Sequence, residues 1–194
     1  IINIEYDSLP EGVEVNSLTY FIKNKPDFLK DKISSSSEYS EERLSNIIDS
    51  RPQSIVAVNA AFHQEGAVIN IKKNVKMPGY IELLHIGKYS KNTMQHMRSV
   101  VYLEEGSECE VLENIINDTE NDMVFTSNVT DINVSKGASL SFHCFIKGSR
   151  NNIHINNIHG EIHKDSKFTS TSIINSIGQV RAENRINLLG ENAL

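Results

Sequence analysis

Seven histidines and two cysteines supply the ligating and nucleophilic groups of this 194-residue sequence, and His143, His154, His159 and His163 fall in one stretch beside Cys144. Imidazole and thiolate are ligands that zinc and iron accept. In an extended strand, residues an even number apart share a face, so His159 and His163 point the same way unless Gly160 breaks the strand between them. The signatures of a catalytic metal site are missing. His159-Gly160-Glu161-Ile162-His163 lacks the glutamate directly after the first histidine that a zinc protease requires, and the His-x-Glu of a zinc deaminase has no Pro-Cys-x-x-Cys partner. The four histidines therefore read as polar positions lining one face of a repeating fold, with no metal ligand assigned.

Cys109 and Cys144 belong to no C-x-x-C pair, and a covalent nucleophile would need an oriented base. His143 adjoins Cys144 but projects from the opposite face of a strand, so both thiols read as core groups of a reducing compartment. Asp7, Glu104, Glu105, Asp118, Glu120 and Asp122 supply carboxylates at spacings typical of solvated loops rather than of a glycosidase pair. No Gly-x-x-x-x-Gly-Lys-Ser/Thr loop is present, which leaves any ATP chemistry to a partner. No catalytic, cofactor-binding or metal-binding residue is assigned.

Net charge is −6, and the lysines and arginines are scattered, which argues against a nucleic-acid footprint. The longest uninterrupted apolar runs are a handful of residues, such as Ile55 to Val58, far below the ~20 residues of a membrane-spanning helix. Asn117-Asp118-Thr119, Asn128-Val129-Thr130 and Asn133-Val134-Ser135 match the glycosylation sequon, but nothing else points to secretion. The chain opens on Ile1 and reads as a piece of a longer protein, cytoplasmic, or organellar if a leader was removed.

Two periodicities organise the elements that must position these residues. Up to residue 62 the apolar spacing is helical: Leu18, Phe21 and Ile22 form one stripe, Phe28, Leu29 and Ile33 a second after Pro26, and Leu44, Ile47 and Ile48 a third that Pro52 ends. Ser34 to Ser37 reads as a loop between them. From Gln53 to Phe62, Ile55, Val58 and Phe62 share a helical face, although β-branched residues also permit a short strand. Beyond Gly66 the period tends to two, and a phrase recurs: Gly106-Ser107-Glu108-Cys109, Gly137-Ala138-Ser139-Leu140, and Asp165-Ser166-Lys167-Phe168. Taken with Gly190, these turns give a period in the high twenties, and Gly66 precedes the first of them by 40 residues. One coil of a parallel β-helix has about that length, and each coil must stack on the next to bury its inward face. Cys109, Leu140 and Phe168, each three residues after its turn, are predicted to occupy equivalent core positions. An antiparallel sandwich is the competing architecture, but its hairpins call for tighter and more even turns.

Several runs, in order, resemble the SufB/SufD family of iron-sulfur cluster assembly proteins: Val58-Asn59-Ala60-Ala61-Phe62, Gly66 to Ile71, Ile81 to Ile86, Val101 to Gly106, Asn128 to Leu140, Asp165 to Phe168, and Arg181 to Ala193. The Asn-Ala-Ala-Phe run is similar to the SufD branch, whereas Arg181-Ala182-Glu183-Asn184 departs from relatives in which Asn follows Arg directly. The resemblance implies a mainly β, right-handed parallel β-helix over 63–194 behind a small helical segment over 1–62. It also implies a non-catalytic scaffold subunit that pairs with SufB and the SufC ATPase, with the iron-sulfur cluster and ATP handled by the full complex. Family members continue past the position of Leu194 with more coils and a helical SufC-docking domain, so this piece is expected to bind no SufC and to self-associate as a homo-oligomer. A polysaccharide-active β-helix enzyme is the alternative, and it would need a cleft of clustered acids that the sequence does not show.

Overall fold

The computed structural model describes residues 9–29, 32, 53–63, 66–87, 93–117, 123–175 and 178–194. β-Branched and aliphatic residues at every second position favour extended chain with one face buried, and ten strands result among the described residues. In chain order they are β1 (Val13–Ser17), β2 (Ala67–Ile71), β3 (Lys76–Ile86), β4 (Thr93–Leu103), β5 (Glu108–Ile116), β6 (Val124–Val134), β7 (Ser139–Lys147), β8 (Asn152–Ile162), β9 (Lys167–Asn175) and β10 (Gln179–Leu188). Consecutive strands from β2 onward alternate between two sheets, ordered β1-β2-β4-β6-β8-β10 and β3-β5-β7-β9. From β2 onward every pairing is parallel. This is a parallel β-solenoid of about four turns, each coil giving one strand to each sheet.

In-register stacking decides the core. Ile71, Leu103, Val134, Ile162 and Leu188 form one column, and Ile69, Val101, Ile132, Gly160 and Ile186 form the next. Gly160 leaves β8 unbroken: it makes room for Ile186, whose Cδ1 would lie 2.8 Å from an added Cβ. From the second sheet, Cys109, Leu140 and Phe168 stand in register, as predicted, with Cys109 and Leu140 buried and Phe168 packed against the core.

The column of turns differs at both ends from the glycine pattern in the sequence. Its positive-φ residues are Asn74, Gly106, Gly137, Asp165 and Asn192. The amide N–H groups of Asn74, Gly106, Gly137 and Asp165 donate to the carbonyls of Glu105, Lys136, Lys164 and Glu191, so each corner is hydrogen-bonded to the one in the next coil. Glycine, asparagine and aspartate are the residues that tolerate this left-handed region at least cost. Gly66 and Gly190 are not members of the column; the asparagines take the end positions. Gly66 instead meets the carbonyl oxygen of Arg98, which would lie 1.6 Å from an added Cβ.

Within the N-terminal stretch, α1 (Leu18–Asn24) and α2 (Pro26–Leu29) form where the stripes predict them, α1 starting with the Ser17 hydroxyl accepting from the Tyr20 amide. Leu18, Phe21 and Leu29 pack on Val68 and Val100 of the first sheet, whereas Ile22 is exposed. Gln53–Phe62 is helical, α3, and the face it buries is that of Val56 and Asn59; Val58 and Phe62, expected inward, are exposed. The side chain of Asn59 explains the rotation: its Nδ2 donates to the carbonyls of Met97 at 2.9 Å and Ser127 at 3.1 Å, pinning α3 to β4 and β6. Strand β1 was not anticipated in this helical stretch. It pairs antiparallel with β2 and adds an edge strand to the first sheet. Ile33, the Ser34 to Ser37 loop and the stripe of Leu44, Ile47 and Ile48 lie outside the described residues.

Candidate functional site

Strand parity sends the four clustered histidines to different places. His143 stands on the outer face of β7, with Nε2 3.6 Å from Glu110 Oε1. Cys144, its neighbour, points inward and is buried, as the alternation requires. His159 faces outward from β8 beside Asp131, at 3.8 Å, and its burial lowers its pKa. His163 sits in the turn after β8, where Nε2 is 3.3 Å from the Asn133 side-chain nitrogen. His154 alone enters the lumen between the two sheets and is fully buried. Among the described residues no group of three or more His, Cys, Asp or Glu side chains is arranged to hold a metal ion.

The lumen holds a polar layer that no sequence motif announced. Glu113 is completely buried, and its carboxylate accepts from Asn128 Nδ2 at 3.2 Å and Thr130 Oγ1 at 3.3 Å, both from β6 in the facing sheet. His85 of β3 approaches the other carboxylate oxygen, with Nε2 at 3.2 Å. Asn128 Nδ2 also lies 3.0 Å from Asn156 Oδ1, and Asn156 reaches Cys144 Sγ at 3.9 Å. Farther along the same strands, Asn117 Nδ2 donates to Thr126 Oγ1 at 3.2 Å, and Thr126 Oγ1 meets His154 Nδ1 at 2.5 Å. The strands explain the convergence: Glu113 shares the inward parity of Cys109, Val111 and Ile115, while Thr126, Asn128 and Thr130 are the inward positions of β6. Parity supplied the signal, because Glu113 interrupts an apolar inward series. A buried charge persists only when hydrogen-bonded, and neighbours from both sheets meet that condition.

Electrostatics in the lumen favour neutral or inert groups. Desolvation lowers the His154 pKa to about 4, partly opposed by Glu113, so its imidazole is neutral at pH 7. Desolvation pushes the Cys109 thiol up to about 12 and raises that of Cys144 as well, with Glu110 and Glu113 adding to the respective shifts. Thiolate is the reactive and ligating form, so neither sulfur is primed for nucleophilic or metal chemistry. Asn128 and Thr130 of one candidate sequon are both buried, which removes that site from glycosylation.

A second buried ionic group lies on the outer face of the first sheet. Arg98 of β4, fully buried, donates from Nε at 2.9 Å and Nη2 at 2.8 Å to Asp131 Oδ2 of β6. The Asp131 column continues through His159 to Arg185 on the next two strands of this sheet. Neither Arg98 nor Asp131 carries a motif, and only the pairing of β4 with β6 reveals them as a pair.

Fold and site together define a mainly β parallel solenoid whose apolar lumen holds one hydrogen-bonded polar layer and no activated nucleophile among the described residues. Residues 85–194 match the family described as SUF system FeS cluster assembly, SufBD core domain, and residues 3–83 match the SufBD protein N-terminal region. The chain belongs to the SufB/SufD family, whose members are generally non-catalytic components of iron-sulfur cluster assembly by the SUF system. A comparison with curated proteins finds no match. Among the described residues no helix is long and apolar enough to cross a membrane.

Proposed function

We propose that the protein carrying this chain is a SufD-like scaffold subunit of a SUF complex, pairing with a SufB-like protein and a SufC-like ATPase, and that no residue described above acts as a catalyst or cluster ligand. Family membership supports the wider setting, a multiprotein SUF complex. The observation that carries the scaffold role is the state of the thiols. Cys109 and Cys144 both face the solenoid core, and burial holds them protonated. A subunit that ligated the nascent cluster through either would have to present it as thiolate. The Asn59-Ala60-Ala61-Phe62 run, whose asparagine fastens α3 to the solenoid, supports the SufD branch. We further propose residues 1–62, helical apart from β1, which joins the first sheet, as the N-terminal unit, 63–194 as the solenoid unit, and the cytoplasm as the site of action. The polysaccharide-enzyme alternative is not favoured by the family match.

Two measurements test this reading. The protein carrying this chain, coexpressed with SufB-like and SufC-like proteins, should leave a sizing column with both in one peak; elution apart from them would overturn the partner assignment. In that complex, replacing Cys109 and Cys144 by Ala should leave the rate of cluster formation within about twofold, since neither thiol is in its ligating form. Loss of cluster formation in a folded double variant would make one thiol a participant and end the scaffold reading.

A further inference from the structure

Several buried polar atoms of the lumen lack a hydrogen-bond partner among the described residues, among them His154 Nε2 and Asn128 Oδ1 on β8 and β6. Their chemistry can be read from the partners they do have. Asn117 Nδ2 donates to Thr126 Oγ1, which leaves the Thr126 hydroxyl hydrogen free to donate to His154 Nδ1, 2.5 Å away. With Nδ1 as the acceptor, the proton of the neutral ring sits on Nε2, and this tautomer is part of the inference. Asn128 is fixed in the opposite sense, because its Nδ2 must face the Glu113 carboxylate, leaving Oδ1 as an unused acceptor. Thr126 is in register with His154, and Asn128 with Asn156. The orphaned donor and acceptor are therefore diagonal neighbours on the inward face of adjacent strands.

We propose that the solenoid lumen contains an internal hydration site, where one or two ordered waters accept from His154 Nε2–H and donate to Asn128 Oδ1 and the Glu113 carboxylate. Water suits this pairing of one donor with two acceptors, and a buried water typically makes about three hydrogen bonds. A metal ion is disfavoured because Nε2 carries hydrogen, and an anion because Glu113 shares the layer. The water supplies hydrogen bonding to a carboxylate that otherwise depends on side chains of β3 and β6 alone. The site thus makes a buried charge compatible with an otherwise apolar core.

A crystal structure of the protein at a resolution that defines ordered water should show an oxygen within ~3.2 Å of His154 Nε2, linked directly or through one further water to Asn128 Oδ1. Clear side-chain density with nothing between these atoms would overturn the site, and so would an anomalous-scattering peak there. In solution, nitrogen-15 spectra of labelled histidine should report the Nε2–H form for His154, with a magnetisation-transfer peak from that proton to long-lived water. The Nδ1–H form would overturn the assignment. His154→Gln, with an amide able to replace the donor, should keep the water, and His154→Leu should lose it. If His154→Leu fails to fold, the histidine spectra of the wild-type protein still decide the question.

Discussion

His154 links a single imidazole to the stability of the solenoid. Its pKa is lowered from 6.5 to about 4 by burial, so between those values the unfolded chain binds more protons than the folded one. The stability this group contributes is then fully present above pH 6.5 and lost as pH falls through about 4. Each pH unit across that window weakens folding by ~1.4 kcal/mol, so the loss from this one imidazole reaches roughly 3 kcal/mol. Urea unfolding between pH 7 and pH 4 should show the decline, and a folded His154→Gln variant should flatten it. Glu113 is a second residue-scale test. Its removal strands donors from Asn128 and Thr130, so Glu113→Ala should cost on the order of 3 kcal/mol by denaturant unfolding. Glu113→Gln, which keeps acceptor oxygen in place, should cost less; equal losses would show that the carboxylate is not held by these bonds.

At the scale of elements, each strand is stabilised by the strand in the next coil rather than by its chain neighbours. Leu140 stacks between Cys109 and Phe168 on adjacent strands of the second sheet and is fully buried. Leu140→Ala should cost ~2–5 kcal/mol, measured by chemical denaturation, and a loss below ~1 kcal/mol would contradict the stacking. Glycines separate into two kinds. Gly137 has a φ of 66° and open space around an added Cβ, so Gly137→Ala carries only the conformational penalty, about 1 kcal/mol. Gly66 has no such room, because backbone oxygen of Arg98 occupies the Cβ position; Gly66→Ala must displace β4 or the chain leading from α3. A melting temperature for Gly66→Ala equal to that of Gly137→Ala would show that the approach is not tight. The turns also carry charge in register, with Lys72, Lys73 and Lys76 of one corner paired to Glu104, Glu105 and Glu108 of the next at 2.9, 2.7 and 2.6 Å. Exposed pairs of this kind contribute little energy each, but their alternation discourages stacking in the wrong register.

Across the whole molecule, the first and last described coils present different surfaces. At the first coil, β1 covers the edge of the first sheet and α1 and α2 pack on its outer face. At the last coil, Ile173, Ile174, Val180, Leu188 and Leu189 are exposed, and β9 and β10 each have a strand neighbour on one side only among the described residues. Open strand edges beside apolar side chains favour association. The 194-residue polypeptide by itself is therefore expected to gain mass with concentration in light scattering, and a strict monomer at high concentration would contradict this.

The sequence by itself determined the architecture and the broad biological setting. Alternation and a recurring turn imply coils that must stack, because no coil can bury its inward face alone. The same alternation placed Cys109, Leu140 and Phe168 in one column and separated His143 from Cys144. It also left the repeat ambiguous at its ends, where Asn74 and Asn192 replace glycine, since several residue types satisfy the same positive φ. The lumenal polar layer was decided only by tertiary structure. Glu113 and Asn128 meet across two sheets, and His85 meets Glu113 one coil away, at sequence separations set by coil length and lateral register rather than by any local motif. The burial of Arg98 against Asp131, and of Asn59 against the carbonyls of two strands, has the same origin. Strand parity turns Glu113 inward, but which partners enclose a polar side chain depends on the neighbours the coils bring to it, and no local pattern records that.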